Sequence, residues 1–248
     1  MTQLILIPGL ASDHVMWQAQ LAALPAHHRA HVTDVATRHD SIETMATALL
    51  AEHPGDLILC GASMGGIVAM QAAHQGGDRI RGLALLGTNA RPETDEVRAL
   101  REAAITLFAG GRAAEVLRAN VPLAFHASRS RDKALAQRYM DFVLAAGADQ
   151  LIRQNRAIMA RPDARRNLPG INCPALVMWG DSDQLTPPEA NREIAALLPH
   201  AQAVELAQCG HMLTMEQPEL VNHHLLQWLQ RLAGPQQAEG TTTPPSWH

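Results

Sequence analysis

Cysteine is scarce in this sequence. There are three, Cys60, Cys173 and Cys209, in 248 residues. An odd number so widely spaced excludes a disulfide framework and points to a reducing, cytoplasmic setting. Long apolar runs are missing as well: none approaches the roughly 18–20 residues that cross a bilayer, so no membrane partner is expected. The chain opens Met-Thr-Gln and enters an apolar run at once. It shows no basic n-region and no small-residue cleavage site, so export through a signal peptide is not expected. Lysine is reduced to Lys133 beside nineteen arginines, and the net charge is −4. A general attraction to nucleic acid is therefore not expected.

Apolar residues are plentiful. They make up 47% of the chain against 18% charged, enough for a sizeable core and too many for wholesale disorder. The length suits one large domain, or one domain carrying an insertion. Gln3–Pro8 reads as a buried strand closed by a breaker, and Asp13–Leu24 has helical spacing stopped by Pro25. Ala30–Val35 is a weaker strand. Ser41 is a good N-cap for a helix from about Ile42 to His53, which Pro54-Gly55 ends. Leu57–Cys60 is a third strand, followed by Gly61-Ala62-Ser63-Met64-Gly65-Gly66 and a helix to about His74; Ile80–Leu86 is a fourth strand. This alternation predicts an α/β fold with a doubly wound, mostly parallel sheet covered on both faces.

The rhythm stops after Thr88 and resumes only at Ala175–Trp179. A structureless loop of that length is implausible. Three helical patterns fill it: Val97, Leu100, Ala104, Leu107–Phe108; then Leu135, Tyr139, Phe142–Val143; then Leu151, Asn155, Ile158–Met159. Arg91 to Leu168 also carries 14 basic and 9 acidic residues, a net of +5, while the rest of the chain has a net of −9. Residues 91–168 are thus expected to form a helical insertion between the fourth and fifth strands, with 1–90 and 169–233 as the core domain. A helix follows Pro187-Pro188-Glu189, a strand runs through Ala203–Leu206, and a closing helix spans about Pro218 to Leu232. Residues 234–248 have almost nothing to bury and read as a disordered tail.

Gly61-Ala62-Ser63-Met64-Gly65 fits G-x-S-x-G, directly after a strand and before a helix, as a nucleophile elbow requires. The serine projects from a sharp turn, and the two glycines let strand and helix pass closely. A serine hydroxyl needs a base. Most of the thirteen histidines sit where a bland role suffices: His27, His28 and His31 lack further ligands for a metal, His74 ends a helix, and His223-His224 lie within the closing helix. His211 differs, because it follows Cys209-Gly210 in a loop after the last strand, from which an imidazole can reach across the sheet's carboxyl edge. Gly180-Asp181-Ser182-Asp183 offers two carboxylates to orient that imidazole. Asp183 has more reach, and Asp181 is better placed to tie the turn to its own backbone. For a developing oxyanion, the N–H of Met64 and that of Leu10, in the loop after the first strand, are the candidate donors. They meet if the first strand lies between the second and third.

At these residues the chain resembles the α/β-hydrolase superfamily, in its compact lidded esterase and lactonase branch, from about Leu4 to Leu232. The markers are LILIPGLASDHVMW, GASMGG, RPDARRNLPGINCPALVMWGDSDQLTPPE and CGHMLTMEQPE. The resemblance implies about six strands, the insertion as a helical lid, Asp183 as the acid beside Ser63 and His211, and Leu10 with Met64 as oxyanion donors. It departs from many relatives in having Pro8-Gly9 where they carry His-Gly, and it begins at what resembles their third strand. Ser63 argues against dehalogenases and epoxide hydrolases, which use aspartate there. The expected activity is cleavage of a small-molecule ester or lactone through an acyl-enzyme, calling for no metal and no organic cofactor. An acyltransferase or C–C bond hydrolase would use the same three residues, and a ligand sensor would keep the scaffold without turnover. Phe108, Phe125, Phe142 and Met159 are the candidates for an acyl pocket under the lid, or else pack the lid onto the core.

Overall fold

The computed structural model describes residues 2–233 apart from residue 130; the expected tail, 234–248, lies outside these. Six strands form one sheet: β1 (Gln3–Ile7), β2 (His31–Val32), β3 (Leu57–Ala62), β4 (Ile80–Leu86), β5 (Ala175–Gly180) and β6 (Ala201–Leu206). Their order is β2-β1-β3-β4-β5-β6, and every neighbouring pair is parallel. The first strand therefore does lie between the second and third.

The central strands are buried on both faces, which explains why they read as continuous apolar runs. Their side chains alternate between two cores. Ile5, Ile7, Leu57, Leu59, Leu83, Leu85 and Val177 face one core, together with α3 (Ile42–Glu52), α4 (Met64–Gly76) and α8 (Pro188–Leu197). Leu4, Leu6, Cys60, Ala84, Leu86, Leu176 and Met178 face the other, with Trp17 and the closing helix α10 (Pro218–Leu232). Ser41 does cap α3, and with Thr44 it forms a reciprocal capping box.

The edges differ from the sequence reading. β2 shrinks to two residues because it has a single neighbour and the chain turns into the short helix α2 (Val35–Arg38). The helix expected over Asp13–Leu24 is split. Asp13 caps a 3-10 turn, His14–Trp17, and α1 proper covers only Gln18–Ala23.

Between β4 and β5 lie three helices, α5 (Asp95–Ala109), α6 (Ala113–Ala124) and α7 (Lys133–Ala160). They build a third apolar cluster that includes Phe108, Leu117, Phe125, Tyr139 and Phe142, and it also takes in Ala11, Met212 and Met215 from the core. The inserted helices thus sit over the loops that follow β1 and β6. The short helix α9 (Leu213–Glu216) links that last loop to α10. Among the described residues no helix is long and apolar enough to cross a membrane.

Candidate active site

Ser63 sits at the carboxyl end of β3, immediately before α4, with φ 52° and ψ −118°. A non-glycine residue in that region costs about 1–3 kcal/mol and persists only when its surroundings hold it. Here they do. Its N–H donates to the Leu86 carbonyl at 2.9 Å, and its carbonyl accepts from the Thr88 hydroxyl at 2.7 Å. The flanking glycines are required by contact: a Cβ on Gly65 would overlap the Ile7 carbonyl, and one on Gly61 would overlap the Gly65 carbonyl. The turn can exist only because both lack side chains.

Half-buried Ser63 meets His211 across the end of the sheet, Oγ to Nε2 2.9 Å. On the far side of the ring, Nδ1 is 2.8 Å from Asp183 Oδ2. With Asp183 ionised, Nδ1 carries the proton and donates to the carboxylate, which leaves Nε2 to accept from the serine hydroxyl. Burial alone would push the Asp183 carboxyl up. The charge and hydrogen bond of His211, together with the amide and hydroxyl of Thr186, overcome that and hold it below the usual carboxylate range. Burial likewise opposes charging of His211, but the Asp183 carboxylate and, more weakly, Glu216 raise it above an ordinary histidine.

Two carboxylates were available to the imidazole, and it is Asp183 that reaches it. Asp181 is engaged differently from the self-contained turn read from the sequence: its oxygens accept from the N–H groups of Gln208 (2.9 Å) and Cys209 (3.3 Å). That clamps the loop bearing His211 onto the end of β5. Sequence reasoning missed Glu216. It is buried in α9, and its carboxylate accepts from the Gly210 amide at 2.9 Å and the His126 amide at 2.8 Å. The His211 and Met212 amides both donate to the carbonyl of Ala124, so the histidine loop is stitched to the end of α6. A lone glutamate in the apolar stretch HMLTME was the one available signal.

The turn Pro8–Gly9–Leu10 lies against the serine, with Ser63 Cβ and the Ala62 carbonyl 3.4 Å from where a Gly9 Cβ would stand. The Gly9 amide points to Met16 Sδ (3.3 Å), the Ala11 amide to Gln154 Oε1 (2.7 Å), and the Ser12 amide to the Gly9 carbonyl (3.1 Å). Among the described residues, the Leu10 N–H alone in this turn has no partner, and the same is true of the Met64 N–H, first of its helix. Both amides expected to receive an oxyanion are thus uncommitted. Of the four residues considered for an acyl pocket, Phe108, Phe125 and Phe142 are buried in the cluster that also holds Leu10 and Met212. Phe125 and Phe142 each pack edge-on against Tyr139, with ring centroids 5.5 Å apart. Met159 is half-buried and not part of that cluster. Among the described residues no group of three or more His, Cys, Asp or Glu is arranged to hold a metal ion.

The chain matches the family model described as serine aminopeptidase, S33, over residues 22–218. It is similar to the pimeloyl-(acyl-carrier protein) methyl ester esterase of Nitrosomonas europaea, at 26% identity over 229 residues, covering 87% of this chain and 91% of that protein. Among solved structures it resembles a thermophilic esterase from Thermogutta terrifontis (TM-score 0.84, 28% identity, 94% of this chain and 90% of that one). The enol-lactonase of Burkholderia xenovorans is as close in shape (TM-score 0.84, 26% identity, 92% and 91%). The chain belongs to the serine aminopeptidase S33 family and has the α/β-hydrolase fold.

Proposed function

We propose that this protein is a serine hydrolase that cleaves a carboxylic ester or lactone by two-step acyl transfer to water. The observation that carries this reading is the unbroken series Ser63 Oγ, His211 imidazole and Asp183 carboxylate, with hydrogen bonds of 2.9 and 2.8 Å, beside two uncommitted amides. Ser63 Oγ attacks the carbonyl carbon while its proton passes to His211 Nε2. The carbonyl oxygen, now an anion, is received by the N–H groups of Leu10 and Met64. As the tetrahedral species collapses, His211 returns the proton to the departing alkoxide; from a lactone that alcohol stays attached to the acyl group. His211 then takes a proton from water as its oxygen attacks the acyl-enzyme, and passes that proton to Ser63 Oγ as the second tetrahedral species collapses and the carboxylic acid leaves. Asp183 holds the Nδ1–H tautomer and balances the imidazolium. Every proton in the scheme is moved by the chain's own groups.

In this reading, residues 91–168 are a lid on a core formed by 1–90 and 169–233. Phe108, Phe125, Phe142 and Met159 are the residues assigned to the acyl pocket beneath it. The relatives named as esterase and lactonase are what favour an ester substrate over the peptide bond in the family's own description. Three unpaired cysteines suit work in the cytoplasm. The test is a panel of p-nitrophenyl esters and lactones of graded acyl length, run on the natural chain and on Ser63→Ala. The variant is expected to lose several orders of magnitude in turnover with its melting temperature preserved. Near-natural esterase activity in Ser63→Ala would refute the assignment.

A further inference from the structure

Among the described residues, Asp183 accepts four hydrogen bonds. Oδ1 takes the amides of Leu185 (2.9 Å) and Thr186 (2.8 Å), which residues of almost any kind would supply there. Oδ2 takes His211 Nδ1 (2.8 Å) and the hydroxyl of Thr186 (2.7 Å). Among the described residues, the Thr186 hydroxyl is therefore the only contact on the carboxylate, apart from the histidine itself, that depends on a side chain. Its oxygen is also 3.2 Å from His211 Nδ1, so the ring N–H faces two acceptors at once.

The backbone of Thr186 is itself anchored. Its carbonyl accepts from Asn191 Nδ2 at 3.0 Å, and Asn191 Oδ1 accepts from the Thr88 amide at 3.0 Å. The Thr88 hydroxyl in turn donates to the carbonyl of Ser63 at 2.7 Å. Asn191 and Thr88 are fully buried. Hydrogen bonds thus run in a closed circuit from serine to histidine to aspartate, and back through Thr186, Asn191 and Thr88 to the serine's own peptide.

We propose that Thr186 is a positioning residue for the Asp183–His211 pair, its hydroxyl aiming the carboxylate and setting the basicity of the imidazole. This rests on the reading of Ser63, His211 and Asp183 as the reacting series. The hydroxyl has one proton, and the shorter contact gives it to Oδ2. That bond draws off part of the charge Oδ2 presents to the imidazole. Without it, the Nδ1–H loses its more distant acceptor at 3.2 Å but faces Oδ2 at 2.8 Å with its charge undivided; the closer, charged partner dominates, so the imidazolium is better stabilised and His211 gives up its proton only at higher pH. The other groups facing His211 are Glu216, held by two amides, and the neutral Ser63 hydroxyl. Neighbouring Cys209 is kept a neutral thiol by burial and the carboxylates around it. None of these changes when the Thr186 hydroxyl is removed.

The experiment compares Thr186→Val, which keeps the shape and removes the hydroxyl, with Thr186→Ala and Thr186→Ser. Rates are taken per active site, counted by fluorophosphonate titration, and the fold is checked by melting temperature. Val and Ala are expected to lower kcat/KM about tenfold, the loss expected of one hydrogen bond to a charged group, with KM little changed. Their acid limb in the kcat/KM profile is expected to move to higher pH, and Ser is expected to restore both. If Val does not fold, Ala and Ser carry the same comparison. An acid limb that stays at the natural pH when the hydroxyl is absent overturns the proposal, as does a Ser variant that behaves like Val. Failure of the underlying reading would be seen separately, as absence of a phosphonyl adduct on Ser63 in the unsubstituted protein.

Discussion

An imidazole beside an ionised carboxylate is a stronger base than one in water, and His211 is in that position. In the proposed mechanism the neutral ring is the working form. The acid limb of kcat/KM is therefore expected above the ordinary histidine value of about 6.5. Replacing Asp183 by Asn removes the charge that stabilises the imidazolium, so the limb moves to lower pH. It also removes the group that fixes the tautomer, and turnover is expected to fall by roughly 10³–10⁴. A pH profile of Asp183→Asn checks both; an unmoved limb contradicts this role for the carboxylate. Ser63 and His211 stood out in the sequence as candidates because each sits in a turn whose neighbours mark it, glycines around the one and Cys209-Gly210 before the other, and the two do meet. Thr88, Asn191 and Gln154 did not. The bond between Thr88 and Asn191 spans 103 positions and that between Ala11 and Gln154 spans 143, and such bonds leave no local pattern.

The strands and helices of the core were legible because burial on both faces makes strands continuous and apolar, while caps and breakers mark the helices. The edges were less so: β2 has one neighbour and little to bury, so nothing in its composition fixes its length. In the insertion, the two apolar patterns that end at Val143 and restart at Leu151 correspond to a real break. The helical backbone of α7 is interrupted at Gly147, where φ is 80° and ψ 164°. That conformation is essentially restricted to glycine, so Gly147→Ala should cost about 1–3 kcal/mol. A drop of several degrees in melting temperature is expected, at roughly 2–4 °C per kcal/mol for a chain of this size. An unchanged melting temperature would mean that the two halves of α7 tolerate a straight joint.

At the scale of the whole molecule, the insertion is fastened where it leaves and rejoins the core. Arg161, at the end of α7, is buried and pairs with the buried side chain of Glu93 near the end of β4, and Arg101 reaches the same carboxylate at 3.1 Å. Arg161 also donates to the carbonyls of Arg91 and Ile158. Glu93→Gln would leave a buried guanidinium without its counter-charge, a loss of about 3–5 kcal/mol. Thermal denaturation of that variant is expected to show a large fall; a shift of less than a degree would show that the carbonyls suffice. The break in the strand–helix rhythm made a helical stretch between β4 and β5 visible in the sequence, but its anchoring was not, because the paired residues are far apart and arginine is common throughout. At its other end the insertion meets the histidine loop directly, through the Ala124 carbonyl at the end of α6 and the His126 amide, so elements of the insertion and of the core come together at the candidate site. The most direct test of that assembled site is peptide mapping by mass spectrometry after inactivation with a fluorophosphonate. A single adduct on Ser63, lost in Ser63→Ala and formed far more slowly in His211→Ala, is the expected result. An adduct on another residue, or ester hydrolysis that continues undiminished once Ser63 is fully modified, would contradict it.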